Sequence, residues 1–371
     1  MTPRHAAVAA SALFLFALAA IPRPTPVKAA SETPAWNPKA TAAYLDRRET
    51  WWQQWTPAQK DHGTVCISCH TTIPYAMTRP ALRHETGETA STLQEKVLLT
   101  SVETRVADWN DVIPFYSDAR NGPGKTAQSH ATEVVLNAVI LANFDARQHQ
   151  LRPITRKAFD EAWALQETDG PEAGGWKWQD FHLGPWESGE SAYQGSALLL
   201  IQADDLPATF ATDPANRPHL DQMRAYLRRE YAAQPIINQL YILWASAREP
   251  DLLPAADRTA LLTKLRNLEQ PDGGWRLTAI ATVTPRDRAD HSPAPTESDG
   301  YATALAVLAL EDAAPKDPTV TRGLAWLRSQ QQADGTWAAA SINKHRDPES
   351  DAYLFMEDAA TAYAVLALQK S

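Results

Sequence analysis

Apolar residues in the C-terminal half of the chain recur with two different patterns. Val320, Leu324 and Leu327 fall at i, i+4 and i+7, with Arg322 and Arg328 turned away, and Leu261, Leu265 and Leu268 repeat that spacing. One apolar stripe on a 3.6-residue period predicts a helix with a single buried face. Downstream of each stripe lies a run with no polar face at all, residues 301–310 and 360–368. Such a helix is buried on every side. The predicted unit is therefore an amphipathic outer helix, a turn, and a buried inner helix.

The turns share a pattern of their own. Gln270-Pro271-Asp272-Gly273-Gly274-Trp275 and Gln332-Ala333-Asp334-Gly335-Thr336-Trp337 are two versions, and a longer one runs from Gln166 through Asp169, Gly170 and Gly175 to Trp176. A period of about 50 to 60 residues marks a repeat architecture. Extended backwards, the pattern predicts six outer/inner pairs: 40–55 with an inner helix starting near Cys69, 92–109 with 129–144, 155–166 with 190–202, 218–231 with 236–247, 255–269 with 299–310, and 318–330 with 357–369. No β-rich run interrupts them, so the fold class is all-α. Six pairs close a ring, which places the first repeat beside the last.

Arg322-Gly323, Trp326-Leu327, Gln331, Gly335 and Trp337 resemble the QW motif of squalene-hopene cyclase and related terpene cyclases. The resemblance spans roughly residues 150–371. It implies an (α/α)6 toroid, a fold also used by protein prenyltransferases and some polysaccharide lyases, with the Gln and Trp as structural braces between repeats. Terpene cyclases start their reaction with a D-x-D-D acid, and the chain has no such motif: Asp204-Asp205 is preceded by Gln202 where the first Asp would stand. Cyclase activity is disfavoured on that ground. Fold similarity alone is nearly silent on function.

The chemistry is carried by Cys66-Ile67-Ser68-Cys69-His70, which holds the only two cysteines of the 371 residues. C-x-x-C-H is the attachment pattern of a c-type haem. The two thiols form thioethers to the porphyrin, and the next imidazole ligates iron. A structural zinc site needs about four ligands, and no second Cys/His cluster supplies the rest. A redox C-x-x-C belongs near a βαβ pattern, which is missing. The expectation is one covalent haem c, bound by Cys66, Cys69 and His70, with His70 as the metal ligand. The attachment segment 62–80 lies in the first repeat. A zinc-dependent prenyltransferase is disfavoured, because its metal site takes a cysteine and both cysteines are committed.

The N-terminus supports that reading. Arg4 and His5 precede an apolar run from Ala6 to Ile21, then Pro22, Pro24 and Pro26, then Ala29 and Ala30. The run is shorter than the ~18 to 20 residues of a membrane span, so residues 1–29 read as a secretory signal peptide. Residues 30–371 then form a single exported toroid domain, periplasmic or secreted, with no membrane span. Removing 1–29 deletes Arg4, Arg23, Lys28 and no acid, which takes the net charge from −9 to −12. An acidic chain without basic runs is a poor nucleic-acid partner.

The repeat frame locates the site. In repeats three, five and six the outer-to-inner connection is the long loop, and in repeat one that connection carries Cys66 and Cys69. The haem is expected at the mouth of the toroid, where loops 114–128, 168–189, 276–298 and 338–356 also gather. Met77 lies two turns from His70, about 10 Å along the same helix face, so it cannot take the opposite side of the iron. Met223 lies mid-way along an outer helix. The favoured sixth ligands are His130 and Met356, with His62, His182, His291 and His345 as loop alternatives, or an open position. The acids Glu190, Asp299 and Glu357 read either as first-turn charges that suit the helix dipole or, with Glu187, as catalytic groups. Trp178, Phe181 and Trp186 make one loop aromatic enough to line a ligand cleft.

Electron transfer to a redox partner protein, or redox chemistry on an apolar small molecule, is the function these features predict. The alternatives are a haem-free toroid enzyme related to polysaccharide lyases or cyclases, and a scaffold or binding protein.

Overall fold

The three Gln/Trp turns are built the same way in the computed structural model, which describes residues 36–282 and 287–370. The signal peptide expected at 1–29 lies outside the described residues. In the two short turns the indole Nε1–H donates back to a carbonyl ten residues earlier, Trp275 to Leu265 (2.9 Å) and Trp337 to Leu327 (2.7 Å). In the longer turn Trp176 donates to Ala162 (2.8 Å). Gly174, Gly273 and Gly335 take φ of 93°, 91° and 92°, the left-handed region open to glycine. Each indole is thus sealed under its own outer helix with its one polar atom satisfied.

Among the described residues, twelve long helices alternate between the two layers. The outer helices are α1 (Pro38–Gln54), α3 (Leu93–Ala107), α5 (Pro153–Ala164), α7 (Arg217–Glu230), α9 (Ala255–Leu268) and α11 (Pro318–Gln330). The inner helices are α2 (Thr72–Thr86), α4 (Lys125–Ala146), α6 (Ser191–Asp205), α8 (Ile236–Ala245), α10 (Gly300–Ala313) and α12 (Asp351–Leu368). Neighbouring inner helices pack in the order α2, α4, α6, α8, α10, α12 and back to α2, so the inner layer is a closed ring. The fold is an all-α toroid, and the only β pairing among the described residues is two isolated bridges.

Closure joins the first repeat to the last as the sequence predicts. Gln331 accepts from the Asn37 backbone N–H (2.6 Å) and donates to the Thr41 hydroxyl (2.8 Å), which itself donates to the Gly335 carbonyl (2.8 Å). A Cβ on Gly335 would stand 2.3 Å from the Thr41 nitrogen, so only glycine lets α1 come this close. Trp36 leans on Trp337 at the same seam, ring centroids 6.4 Å apart.

Two helix starts differ from the sequence reading by four residues or more. Helix α12 begins at Asp351, six residues before Glu357, because the Ser350 hydroxyl accepts from Tyr353 N (3.3 Å) and caps it there. Helix α4 begins at Lys125, directly after Gly124 at φ 82°. Both starts are polar and read as loop by composition.

The axis of the ring is filled. Its chamber is only about 20 Å³, lined by Cys69, Ile73, Leu136, Trp178, Gln194 and Tyr241 with their neighbours. Tyr241 on α8 reaches the hydroxyls of Tyr301 on α10 (3.0 Å) and Tyr363 on α12 (2.6 Å). Trp178 lies on Gly195, where a Cβ would meet its ring at 2.3 Å. A space of that size holds about one water.

Trp337→Ala should destabilise the fold by about 3–5 kcal/mol, the range for removing a buried aromatic. Urea denaturation followed by far-UV circular dichroism measures it. A loss under about 1 kcal/mol would mean that the turn does not brace the seam.

Candidate functional site

The segment 58–73 is held from several sides before any chemistry is considered. Cys66 N donates to the Ala58 carbonyl (2.7 Å), and the Cys66 carbonyl accepts from the Trp52 indole of α1 (2.6 Å). Val65 N donates to the Ser101 hydroxyl of α3 (3.0 Å). The Ser68 hydroxyl accepts from Thr71 N (3.1 Å) and Thr72 N (3.0 Å), which satisfies free donors where α2 starts. His70 therefore sits at the N-terminal end of an inner helix, as the repeat frame predicts.

A hydrogen-bond chain fixes the imidazole. The Thr71 hydroxyl donates to Asp358 Oδ2 (2.7 Å), so its oxygen is left to accept from His70 Nδ1 (3.0 Å). Asp358 on α12 also accepts from Tyr44 (2.7 Å) and from Arg48 Nε (2.8 Å), both on α1. This geometry assigns the Nδ1–H tautomer and leaves the Nε2 lone pair uncommitted among the described residues. Burial, with Arg48 beside it, pushes the imidazole down to about 3, so it stays neutral. A neutral imidazole whose second nitrogen is fixed by a hydrogen bond is the form that ligates metals.

His70 lines a cavity of about 250 Å³ with Trp52, Tyr116, Trp186, Glu187, Arg346 and Met356, among others. The lining comes from α1, α12 and the connections before α2, α4, α6 and α12, so three of the loops expected at the mouth, 114–128, 168–189 and 338–356, meet there, while 276–298 lines an adjoining trough instead. Phe355 stacks on the imidazole at 4.0 Å, and Trp52 meets it edge-on at 5.5 Å. Trp186 stands between His70 (6.0 Å) and Tyr301 (5.1 Å) and donates to the Tyr301 hydroxyl (3.1 Å).

The expected sixth ligands separate clearly. Met356 lines the same cavity as His70 and is buried. His130 does not line it: it lies in α4 against Trp109, at 5.1 Å. Met77 and Met223 are buried in the core. His62 pairs with Asp108 (3.1 Å), His182 with Asp180 (3.2 Å), and His345 lines an adjoining trough.

The acids separate as well. Asp299 caps α10, accepting from Tyr301 N (2.9 Å), Ala302 N (3.0 Å) and Ala340 N (2.8 Å), and burial raises it to about 6. Glu357 lies 3.4 Å from the Tyr44 hydroxyl, and burial raises it to about 7. Glu190 is exposed beside the start of α6. None of the three lines the cavity. Glu187 does, and burial raises it to about 6 although Lys125 and Arg346 favour its charge.

Both thiols are free. Cys66 is buried, and burial pushes its thiol up to about 12; Cys69 is partly accessible, lines the axial chamber, and is raised as well. Reactive cysteines have depressed values and lie in electropositive settings, so these are not activated thiolates. Among the described residues no group of three or more His, Cys, Asp or Glu is placed to hold a metal ion.

Residues 242–370 match the family model of the squalene-hopene cyclase C-terminal domain. That covers the last two outer helices, the last two inner helices, the end of α8 and the two short Gln/Trp turns. A solved glycosidase structure covers 90% of this chain and 97% of its own at 12% identity, with a TM-score of 0.48. The comparison with curated proteins gives no match.

The sequence reading passed over Thr71 and Arg48, and it singled out Glu357 rather than its neighbour Asp358. Their roles depend on a contact 287 residues apart along the chain. Glu49, the residue after Arg48 on α1, shares that setting. It is fully buried, bonded only to the Gln53 amide (3.0 Å), and its second oxygen has no partner. Burial pushes its carboxyl from 4.5 up to about 8, against the Gln53 bond that favours the charge. The folded state therefore keeps the proton while the unfolded chain loses it near pH 4.5. Stability is full below that pH and falls as pH rises towards 8, by up to about 1.4 kcal/mol per unit. Glu49→Gln should match the parent at pH 4 and exceed it at pH 9 in urea denaturation. Identical pH profiles would show that Glu49 does not carry this linkage.

Proposed function

We propose that the chain is an exported monohaem c-type redox protein, with Cys66 and Cys69 forming the thioether links and His70 ligating iron. One observation carries the reading. His70 is held by the Thr71–Asp358–Arg48 chain in the tautomer that offers Nε2 to a metal, on a cavity whose lining also holds Met356.

The donor set fits this group. Two neutral thiols and one oriented imidazole are the residues that would hold a covalent haem, the Met356 thioether would be a further donor to its iron, and no group of three or more His, Cys, Asp or Glu among the described residues is placed to hold a bare metal ion. The cavity alone is small, and Phe355 stacks on the imidazole. Binding therefore needs that partly exposed side chain to swing aside. When bound, the haem supplies one-electron chemistry at the mouth of the ring. The chain's own part would be to fix the imidazole, exclude water with Trp52, Trp186 and Phe355, and offer the Met356 thioether as a further donor from the cavity wall. The axial chamber of about 20 Å³ is too small for an isoprenoid substrate. Electron exchange is then with a partner protein at the mouth, or with a small molecule that enters there.

A second reading has one observation in its favour. Glu187 faces the cavity with its carboxyl raised to about 6, the range of a working general acid or base. A haem-free enzyme would use it so.

Expression in the periplasm with cytochrome c maturation factors separates the two. The redox reading expects a red protein with one haem per chain by pyridine haemochrome, retained in denaturant. Cys66→Ala or Cys69→Ala should lose most of that covalent haem, and Met356→Ala should open the sixth position to CO in the reduced state. A colourless chain despite maturation factors overturns the reading and leaves Glu187 as the group to test.

A further inference from the structure

The trough beside the cavity has no role in the reading above. It measures about 470 Å³ and is walled by Arg288, Pro293, Ser341, His345, Arg346 and Tyr353, with others. Ser341 and Arg346 also line the cavity that holds His70, so the two spaces adjoin. Its volume is within the range of small-molecule sites, about 300–1,000 Å³.

Two guanidinium groups define its chemistry. Arg288 is only 8% exposed and is held by four acceptors: the Ser292 hydroxyl (3.0 Å) and the carbonyls of Pro293 (2.8 Å), Ser341 (2.5 Å) and Lys344 (3.0 Å). Its Nε–H is buried with no acceptor, and so is the Nε–H of Arg346. A buried donor of a charged group left unmet is costly, and most such groups in folded proteins are satisfied. Both belong to guanidinium groups that line one trough, so an acceptor with several oxygens placed there would meet two cations whose donors the protein leaves partly unmet. The one acid on the wall, Glu297, is exposed and held below its usual range by bonds to the backbone and to Thr296. It stays charged and repels an anion from its own end. The aromatic rings of the adjoining cavity suit an apolar body attached to the anion.

We propose that Arg288 and Arg346 form a seat for a carboxylate at the rim of the His70 cavity. Planar guanidinium groups match carboxylate oxygens. Two sources present that chemistry here: the propionate side chains of a porphyrin seated at His70, which rests on the reading above, or a free organic acid with an aromatic or apolar body, which does not.

Benzoate is the probe, with benzamide as its uncharged counterpart, titrated calorimetrically into the full chain made without maturation factors. Benzoate should bind at least about tenfold more tightly than benzamide. Arg346→Gln should remove that preference, since no structural bond of Arg346 is lost. Arg288→Lys should weaken it with the charge retained, and thermal melts of both variants check folding. The haem-loaded chain then identifies the source. Unchanged benzoate affinity assigns the seat to a free acid. Loss of benzoate binding, with a midpoint potential that moves in Arg346→Gln, assigns it to the propionates. Equal weak binding of benzoate and benzamide by the haem-free chain overturns the seat, whatever the outcome of haem attachment.

Discussion

The Asp358 carboxylate is the point on which this structure turns. It lies on the last inner helix and gathers donors from Tyr44 and Arg48 on the first outer helix and from Thr71 at the start of the first inner helix. The contact that orients the imidazole is also a contact that closes the ring. Removing one partner of such a buried cluster strands the others, which is far costlier than the net worth of the pair. A ring that failed to close would lose its seam and its site together.

A toroid usually offers its central cavity to a ligand, and here the axis is occupied. Tyrosine hydroxyls from α8, α10 and α12 meet on it, and Trp178 and Trp186 close the upper side. The free volume moves outwards to the rim, where the connections before α2, α6 and α12 converge. Cys69 lies at the junction, on the axial chamber, while the next residue faces the mouth cavity. The fold thus carries its chemistry at one end and a packed core below it.

Much of this was legible because it depends on neighbours along the chain. The 3.6-residue stripes of Val320, Leu324 and Leu327, the all-apolar run at 301–310 and the Gln/Trp turns each report a local environment, and repetition supplies the ring. Position within the repeat then placed His70 at the inner-helix start. What could not be read depends on pairs brought together only by closure. Asp358 carries no signal beyond that of an acid near the start of an inner helix, yet its partners lie more than 280 residues away. His130 and Met356 were equivalent by repeat position, and only the packing of Trp109 on His130 separates them. Asp299 and Glu357 looked alike as acids four residues before a threonine. The first is consumed by three backbone donors, and the second faces Tyr44.

The mouth is also framed more firmly than loops of this length suggest. Arg288 ties the fifth connection to Ser341 and Lys344 of the sixth, Ala289 N donates to the Asn343 carbonyl (2.9 Å), and the Asn343 amide reaches the Gly184 carbonyl of the third (2.7 Å). Asp299 adds Ala340 from below. The third, fifth and sixth connections are therefore bound to one another before they reach the cavity. Arg346 belongs to the last of them, and Phe355 and Met356 to the first turns of α12 directly after it. Sites hold their geometry when the elements behind the contacting side chains are themselves fixed. By that criterion the frame around His70 is held from three connections at once, and Phe355, stacked on the imidazole, closes that face of the cavity.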